Sequence, residues 1–355
     1  MLLFIAGGCP PLDPYQTAEL ELRFNFDSEP TPAVTDGAPL FDSAPVFRDV
    51  AGRIGSHAPT LTVFPDGELL AAWYSYEGPH ELIGSAIYTA RLAAGAEQWD
   101  PPLVHLDRAL GEGNPVLYSE GDEVWLFSAV ALQSWWSTAH IEVQRSFDRG
   151  QTWSAPVPIG GPLGSNLRFP PIRLNDGTLL LPAYDDLIQR SLFFSSADGL
   201  TWSWRSAVWT ELGQQNLQPS VVELDSGRLL AVMRNSGTGW LWVSASDNGG
   251  WSWAPPMDGG FPNPAAPAQL LKLASGNLLL IYNNSNEIRG VLSITMSADN
   301  GVTWLPPRVL VEDGGEHIYP AAIQAPDGLI HILYSHSRER IQHMTLNEAW
   351  VAGTV

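Results

Sequence analysis

Apolar residues recur along this chain in short runs separated by turn residues. Six segments share one pattern, in which a proline and a few apolar residues are followed by a glycine-containing turn and a second apolar run. These segments begin at Pro59, Pro115, Pro171, Pro219, Pro267 and Pro320. Two short apolar runs around an Asp-Gly or Ser-Gly turn are typical of a β-hairpin. The pattern therefore predicts six hairpins at regular intervals.

An eight-residue motif follows four of these hairpins. Its copies are "SFDRGQTW" (146–153), "SSADGLTW" (195–202), "SDNGGWSW" (246–253) and "SADNGVTW" (297–304), and their final tryptophans are 49, 51 and 51 residues apart. Each unit then contains about four strands, and no unit can bury both faces of its sheet alone. We expect an all-β, six-bladed β-propeller over residues 44–355.

The motif itself is expected to be structural. An Asp side chain accepts backbone N–H bonds across a tight turn, a Gly follows it, and the Trp packs between sheets. Aligned letter by letter, the Asp position becomes Ala197 in the second copy and Asn248 in the third, which a catalytic acid would not tolerate. Asp148 and Asp299 are therefore predicted to maintain the fold.

The N-terminal region differs from the repeats. The apolar run "MLLFIAGGC" (1–9) resembles the end of a bacterial lipoprotein signal, so we expect an exported protein, periplasmic or at the cell surface and tethered through lipidated Cys9. Residues 10–43 are predicted to be an extended, Pro- and Asp-rich segment. The stretch 44–50 is predicted to return and pair with the last blade.

Composition narrows the classes of function. The formal net charge of −20 disfavours nucleic acid, because phosphate binding requires clustered Lys and Arg. One cysteine leaves no internal disulfide, and the eight scattered histidines show no spacing typical of a metal site, with His336 and His343 nearest to a pair. We expect a monomer with a glycan or polysaccharide substrate and no cofactor or metal.

The eight-residue motifs resemble the Asp-box, or BNR, repeats of the sialidase superfamily, whose fold is a six-bladed β-propeller. Signatures such as "NPVL" from Asn114 and "PPIRLNDG" from Pro170 are similar to those of bacterial sialidase-like proteins of the exo-α-sialidase group. Members hold a sugar carboxylate with three arginines and use a tyrosine nucleophile, a glutamate that accepts its proton and an aspartate as acid/base. The resemblance therefore implies a site of this kind in this chain.

Three positions match the residues that the resemblance implies. Arg234 and Arg289 correspond to the second and third arginines, and Tyr319 in "HIYPAAIQ" corresponds to the nucleophile. Further substrate-binding residues are expected at Asn263 and Tyr282.

Other positions depart from the family pattern. His57 stands where the first arginine is expected, as a partly protonated imidazole, a general base or a structural residue, and Arg53 is an alternative arginine. Gln218 replaces the glutamate, and an amide cannot accept the tyrosine proton. For the acid/base, the loop "WYSYEGPHELIG" offers Glu77 as first choice, with His80 and Glu81 as alternatives.

Three functions follow as hypotheses. The first is a sialidase-like glycoside hydrolase that acts on terminal acidic sugars. The second is a polysaccharide lyase, or another glycosidase, acting on a uronate-containing glycan, with His57 and Tyr319 abstracting a proton in the lyase. The third is a non-catalytic propeller that binds glycans or proteins through exposed tryptophans.

Overall fold

The computed structural model describes residues 29–353 except positions 34, 36, 133–134 and 211–213. Within these residues the strands form six sheets arranged around a common axis, which confirms the predicted all-β, six-bladed propeller. The lipoprotein-like residues 1–9 and most of the segment 10–43 lie outside the described residues. No helix in the described ranges is long and apolar enough to cross a bilayer.

Each blade is an antiparallel sheet whose first strand in the chain lies innermost, except that an earlier strand, β1 (Phe41–Pro45), joins the last blade. Blade 1 consists of β2 (Gly55–Val63), β3 (Leu69–Tyr76), β4 (Ala86–Leu92) and β5 (Leu103–Leu106). Blade 2 consists of β6 (Gly111–Glu120), β7 (Glu123–Ala131), β8 (Ala139–Ser146) and β9 (Val157–Pro158), with a 3-10 helix at Trp136–Thr138. Blade 3 consists of β10 (Ser165–Leu167), β11 (Ile172–Arg173), β12 (Leu179–Asp185), β13 (Arg190–Ser196) and β14 (Ser203–Ala207).

The remaining blades repeat this order. Blade 4 consists of β15 (Leu217–Glu223), β16 (Leu229–Arg234), β17 (Trp240–Ser246) and β18 (Met257–Pro262). Blade 5 consists of β19 (Gln269–Lys272), β20 (Leu278–Asn283), β21 (Leu292–Ser297) and β22 (Arg308–Val311). Blade 6 consists of β23 (His317–Gln324), β24 (Ile330–His336), β25 (Arg340–Leu346) and β1, and α1 (Glu348–Ala352) follows it.

The ring closes through β1, which forms the outer strand of blade 6. Phe41 pairs with Leu346 and Pro45 with Gln342, and the Val46 amide donates to the Ile341 carbonyl. The sequence predicts that residues 44–50 pair with the last blade and close the ring. The strand that does so, β1, begins three residues earlier, at Phe41. The pairing of β1 with β25 gives blade 6 its fourth strand and joins the first and last strands of the propeller in one sheet.

The four repeated motifs form turns of one design. In the first, Asp148 accepts hydrogen bonds from the Thr152 amide (2.8 Å) and hydroxyl (2.6 Å), and Trp153 Nε1 donates to the Gly150 carbonyl. The motif tryptophans pack against the preceding blade, as the stacking of Trp253 on Phe193 shows. These contacts give the motif the structural role that the sequence suggests.

The second copy corrects the letter-by-letter alignment. Asp198, rather than Ala197, accepts the amides of Leu200 and Thr201 at 2.8 Å each. The turn from Ser196 to Trp202 is one residue shorter than in the other copies, so the Asp is retained with a shift of one position. Asn248 takes the same place in the third copy, where its Oδ1 accepts the Ser252 amide.

Candidate functional site

The innermost strands all run in one direction, so their N-terminal ends meet at one end of the propeller axis. In four of them the pairing register shifts just before a proline, and the residue at the shift has a left-handed backbone conformation. These residues are Ala58 (φ 49°), Asn114 (φ 44°), Gln218 (φ 53°) and Tyr319 (φ 58°). A bulge redirects side chains, and such strain concentrates at functional sites.

Tyr319, Gln218 and His57 meet at this end of the axis. The rings of His57 and Tyr319 lie 4.2 Å apart between centroids. Gln218 Nε2 is 3.4 Å from the Tyr319 hydroxyl and 3.5 Å from the Tyr184 hydroxyl. Blades 1, 4 and 6 thus bring three of the predicted site residues together.

Arg234 determines which way the Gln218 amide faces. Its Nη1 donates to Gln218 Oε1 at 3.3 Å, so the amide nitrogen is the end turned towards Tyr319. An amide nitrogen only donates hydrogen bonds. Gln218 therefore presents a hydrogen-bond donor to the phenol oxygen, where a glutamate would present an acceptor.

Burial favours the neutral form of the His57 imidazole over the partly protonated alternative. The side chain is buried, and its Nδ1 lies 2.9 Å from Ser335 Oγ. Burial, aided by the positive charges of Arg338 and Arg168, holds the pKa of His57 well below its usual value. His57 therefore contributes no positive charge to hold a carboxylate.

Arg289 and Arg234 provide positive charge on the other side of Tyr319. The Arg289 guanidinium is held by the carbonyls of Pro264 (3.3 Å) and Ala265 (2.7 Å), and its Nη1 lies 3.6 Å from Glu316. Burial and the positive charge of Arg234 lower the pKa of Arg289. A half-buried pair of guanidinium groups makes the site locally positive in a protein of net charge −20.

Two further arginines belong to the cluster and were missed in the sequence. Arg338, in the turn between β24 and β25, pairs with Glu81 (2.7 Å) and Glu316 (3.1 Å), and its charge also lowers the pKa of Arg289. It supplies a third guanidinium from blade 6, where His57 leaves blade 1 without one. The sequence signal for it is slight: it follows Ser335, the partner of His57, in "SHSRER".

Arg168 lies underneath the site, between β10 and β11. It is 2 % exposed, and its guanidinium donates to the carbonyls of Pro59 (2.8 Å), Tyr319 (2.6 Å) and Pro320 (2.9 Å). The guanidinium also lies over the Tyr319 ring at 5.3 Å. Arg168 thus joins blades 1, 3 and 6 and fixes the backbone that carries Tyr319.

Four predicted residues lie apart from this cluster. Arg53 bonds to Tyr88 and pairs with Glu77 (3.1 Å) and Asp107 (3.0 Å) towards the outer part of blade 1, so neither Arg53 nor Glu77 is placed beside Tyr319. Asn263 is buried, and its Oδ1 accepts the amide of Ala266 within a turn.

Tyr282 is the fourth predicted residue that lies apart from the cluster. It is 2 % exposed and packs edge-on against Phe261 in the core between blades 4 and 5.

Besides Glu316, two carboxyl groups face the arginines. Glu81, one of the alternatives in the blade 1 loop, binds Arg338 through one oxygen and Trp136 Nε1 through the other, at 2.7 Å each. Asp186, which follows β12, interacts electrostatically with Arg234 and Glu81. Burial raises the pKa of Asp186 in spite of the opposing charge of Arg234.

The BNR repeat-like domain family matches residues 67–332, three quarters of the chain. The chain belongs to this family. Together with the relatives below, the match places it in the sialidase-like superfamily.

Two curated relatives are sialidases. The sialidase of Bacteroides fragilis (strain YCH46) is 26% identical over 272 residues, which cover 66% of this chain and 49% of the relative. The sialidase of Micromonospora viridifaciens is 25% identical over 376 residues, covering 91% of this chain and 56% of the relative. The chain spans about half the length of these relatives.

Solved structures share the fold. The intramolecular trans-sialidase from Ruminococcus gnavus superposes with a TM-score of 0.75 at 14% identity, covering 86% of this chain and 96% of that structure. At this identity the likeness supports the propeller architecture alone.

Proposed function

We propose that this protein is a glycoside hydrolase that removes a terminal acidic sugar, sialic acid or a related sugar, from glycans. The observation that carries the proposal is the Tyr319 phenol, which accepts a hydrogen bond from Gln218 and lies against a cluster of arginines at one end of the axis. The names of its curated relatives support the same substrate class. A location outside the cytoplasm fits this substrate. It also fits the lipoprotein-like segment 1–9, whose last residue is Cys9.

The arginines would bind the sugar carboxylate. Blades 4, 5 and 6 each supply one of them: Arg234, Arg289 and Arg338. The positive charges of Arg234 and Arg338 both lower the pKa of Arg289, so the three guanidinium groups lie near one another. A planar guanidinium binds a carboxylate through two parallel hydrogen bonds. Glu316, which now contacts both Arg289 and Arg338, would be the anion that the substrate partly replaces.

Tyr319 would stabilise the positive charge that develops at the anomeric carbon. Glycoside cleavage passes through an oxocarbenium-like transition state, and a phenol oxygen carrying negative charge stabilises it or attacks it. Gln218 donates to that oxygen, and the guanidinium of Arg168 lies over the same ring. In this proposal the phenol proton passes to solvent water, and hydrogen bonding and nearby cations support the negative charge left on the oxygen, without a carboxylate base at position 218.

Asp186 would donate the proton to the leaving sugar. A general acid must be protonated near the working pH, and the raised pKa of Asp186 favours that form. Glu81 is less suited because a guanidinium and an indole N–H already occupy its two oxygens.

Replacing Asp186 with asparagine is expected to reduce hydrolysis of glycosides with a sugar leaving group by about 10²–10³-fold. Aryl glycosides should lose less, because a phenolate leaves without protonation. The rate with the unmodified protein should fall as pH rises through the pKa of the acid, and the variant should lose that dependence. The measurement is kcat/KM against pH for both substrates. The comparison variant Glu81→Gln should keep the alkaline fall; if it alone shows the leaving-group effect, Glu81 is the acid.

A lyase is the second candidate, and one observation favours it. The neutral ring of His57 packs on Tyr319, and its buried Nε2 has no hydrogen-bond partner among the described residues, so the pair contains a free base. A lyase would abstract the proton α to a uronate carboxylate and leave an unsaturated product that absorbs in the near ultraviolet.

Incubation with a fluorogenic sialoside and with uronate polysaccharides tests these functions. We expect release of the fluorophore and no unsaturated product. Ultraviolet-absorbing products without sialoside hydrolysis would assign the lyase. Glycan binding with no product after long incubation would leave only a binding function.

A further inference from the structure

A second group of polar side chains lies beside the arginine cluster, in blade 6. His317 on β23 faces His336 on β24 as a register pair, and Asp313 lies in the loop before β23. In the sequence, His336 and His343 are the histidines nearest to a pair. In the fold, His343 instead faces His331 at 3.0 Å.

The ligand atoms of this group converge. His317 Nε2 is 2.8 Å from Asp313 Oδ1, and His336 Nε2 is 3.1 Å from Asp313 Oδ2. All three side chains offer an atom within 4.8 Å of the others. Ligand bonds of about 2.0–2.2 Å place neighbouring ligand atoms about 3.0–3.5 Å apart around one ion. The separations therefore suit a shared ion after only small side-chain rotations.

The buried histidine lacks a well-formed hydrogen bond. The His317 side chain has no exposed surface, and the direction of its Nε2–H is poorly aligned with the nearby carboxylate oxygen. Its Nδ1 also has no partner in the described part of the chain. A buried imidazole whose nitrogens lack hydrogen-bond partners among the described residues can turn one of them towards a metal ion.

The third ligand is held in place. The Gly315 amide donates to Asp313 Oδ1 at 3.0 Å, and the two carboxylate oxygens lie against His317 and His336. A Cβ at Gly315 would lie 2.8 Å from Ser337 Oγ and 3.2 Å from Asp313 Oδ1, so the loop packs closely against the next turn. The group is therefore organised before any ion arrives.

We propose that Asp313, His317 and His336 bind a divalent transition-metal ion, with Zn²⁺ as the best fit. Two imidazoles and one carboxylate are ligands that zinc accepts, with water completing the coordination. Glu316, three residues after Asp313, contacts Arg289 and Arg338, so a bound ion would also order the loop that places this anion beside the substrate cavity.

The positive charge of Arg340 opposes the binding of a metal ion at this group. Arg340 Nη2 lies 3.3 Å from His336 Nε2, the nitrogen that would bind the metal, and must move aside when the ion binds. Removing this positive charge should therefore strengthen metal binding.

Titration of chelator-treated, metal-free protein with Zn²⁺ in a calorimeter tests the proposal. We expect one saturable site, loss of at least tenfold in affinity for Asp313→Asn and for His336→Gln, and tighter binding for Arg340→Gln. Co²⁺ should give a visible absorption band that the first two variants lose. His140→Gln serves as a matched control because His140 Nε2 pairs with a carboxylate, Glu142, at the same 3.1 Å but without a second histidine.

Two results would overturn the site. One is the absence of saturable binding by the unmodified protein. The other is binding that Asp313→Asn and His336→Gln leave unchanged while circular dichroism shows both variants folded. Asp313 is about half exposed, so its replacement is not expected to disturb folding.

Discussion

Replacing Tyr319 with phenylalanine is expected to lower kcat on a sialoside at least 10³-fold, equivalent to about 4 kcal/mol of transition-state stabilisation. The change removes only the phenol oxygen, which is the atom that Gln218 contacts at 3.4 Å. The aromatic ring remains, and it still packs against the His57 ring and the Arg168 guanidinium. Steady-state kinetics should therefore show a loss in kcat with little change in KM.

The fold of this variant should be retained, because a long hydrogen bond at a partly exposed hydroxyl contributes about 1 kcal/mol or less. Tyr282→Phe is the comparison, since it removes the same atom from a ring buried between blades 4 and 5. It should leave kcat near the unmodified value. Retention of more than about a tenth of the activity by a folded Tyr319→Phe protein would exclude the proposed role of the phenol.

Replacing Arg168 with methionine is expected to lower the free energy of unfolding by about 3–5 kcal/mol. Methionine fills a similar volume but donates no hydrogen bonds, so the carbonyls of Pro59, Tyr319 and Pro320 lose their partner inside the protein. Relief of the buried charge offsets part of this loss; burial lowers the pKa of Arg168 to about 10, and the group is still charged at neutral pH. Urea unfolding followed by tryptophan fluorescence measures the change.

The matched control is Arg173→Met, on β11 just after the segment that contains Arg168. Arg173 pairs with Glu120 at the surface with 40% of its side chain exposed, and its loss should cost no more than about 1 kcal/mol. Equal stabilities for the two variants would show that Arg168 does not hold the three blades together. Because Arg168 also bonds to the Tyr319 carbonyl, its replacement should lower kcat as well.

Much of the fold was predictable because its determinants are local. A proline, a glycine turn and two apolar runs define each hairpin without reference to any other blade. The regular spacing of Trp153, Trp202, Trp253 and Trp304 then predicts the number and order of blades. The second motif shows where prediction from local sequence fails. This copy is one residue shorter, so a letter-by-letter alignment puts Ala197 at the Asp position. The hydrogen bonds of Asp198 identify the equivalent residue.

The candidate site was predictable only in part. Tyr319, Gln218, Arg234 and Arg289 lie in segments that resemble a known pattern, and the fold brings them together. Arg168 and Asp186 lie in segments with no such pattern, and for Arg338 the resemblance of "SHSRERIQH" implies no role. Their places depend on how blades 3 and 6 are oriented about the axis, and no short stretch of sequence encodes that.

Sequence by itself determined the propeller, its repeats and the strand ends at which a site would form, since hairpin turns and side-chain alternation act over a few residues. Tertiary structure decided that His57 is neutral, that Arg53 pairs with Glu77 away from the cavity, and that Arg338 completes the arginine cluster. Burial and charge at each position come from residues far apart in the chain. Only ring closure fixes those distances, and with them the chemistry of the site.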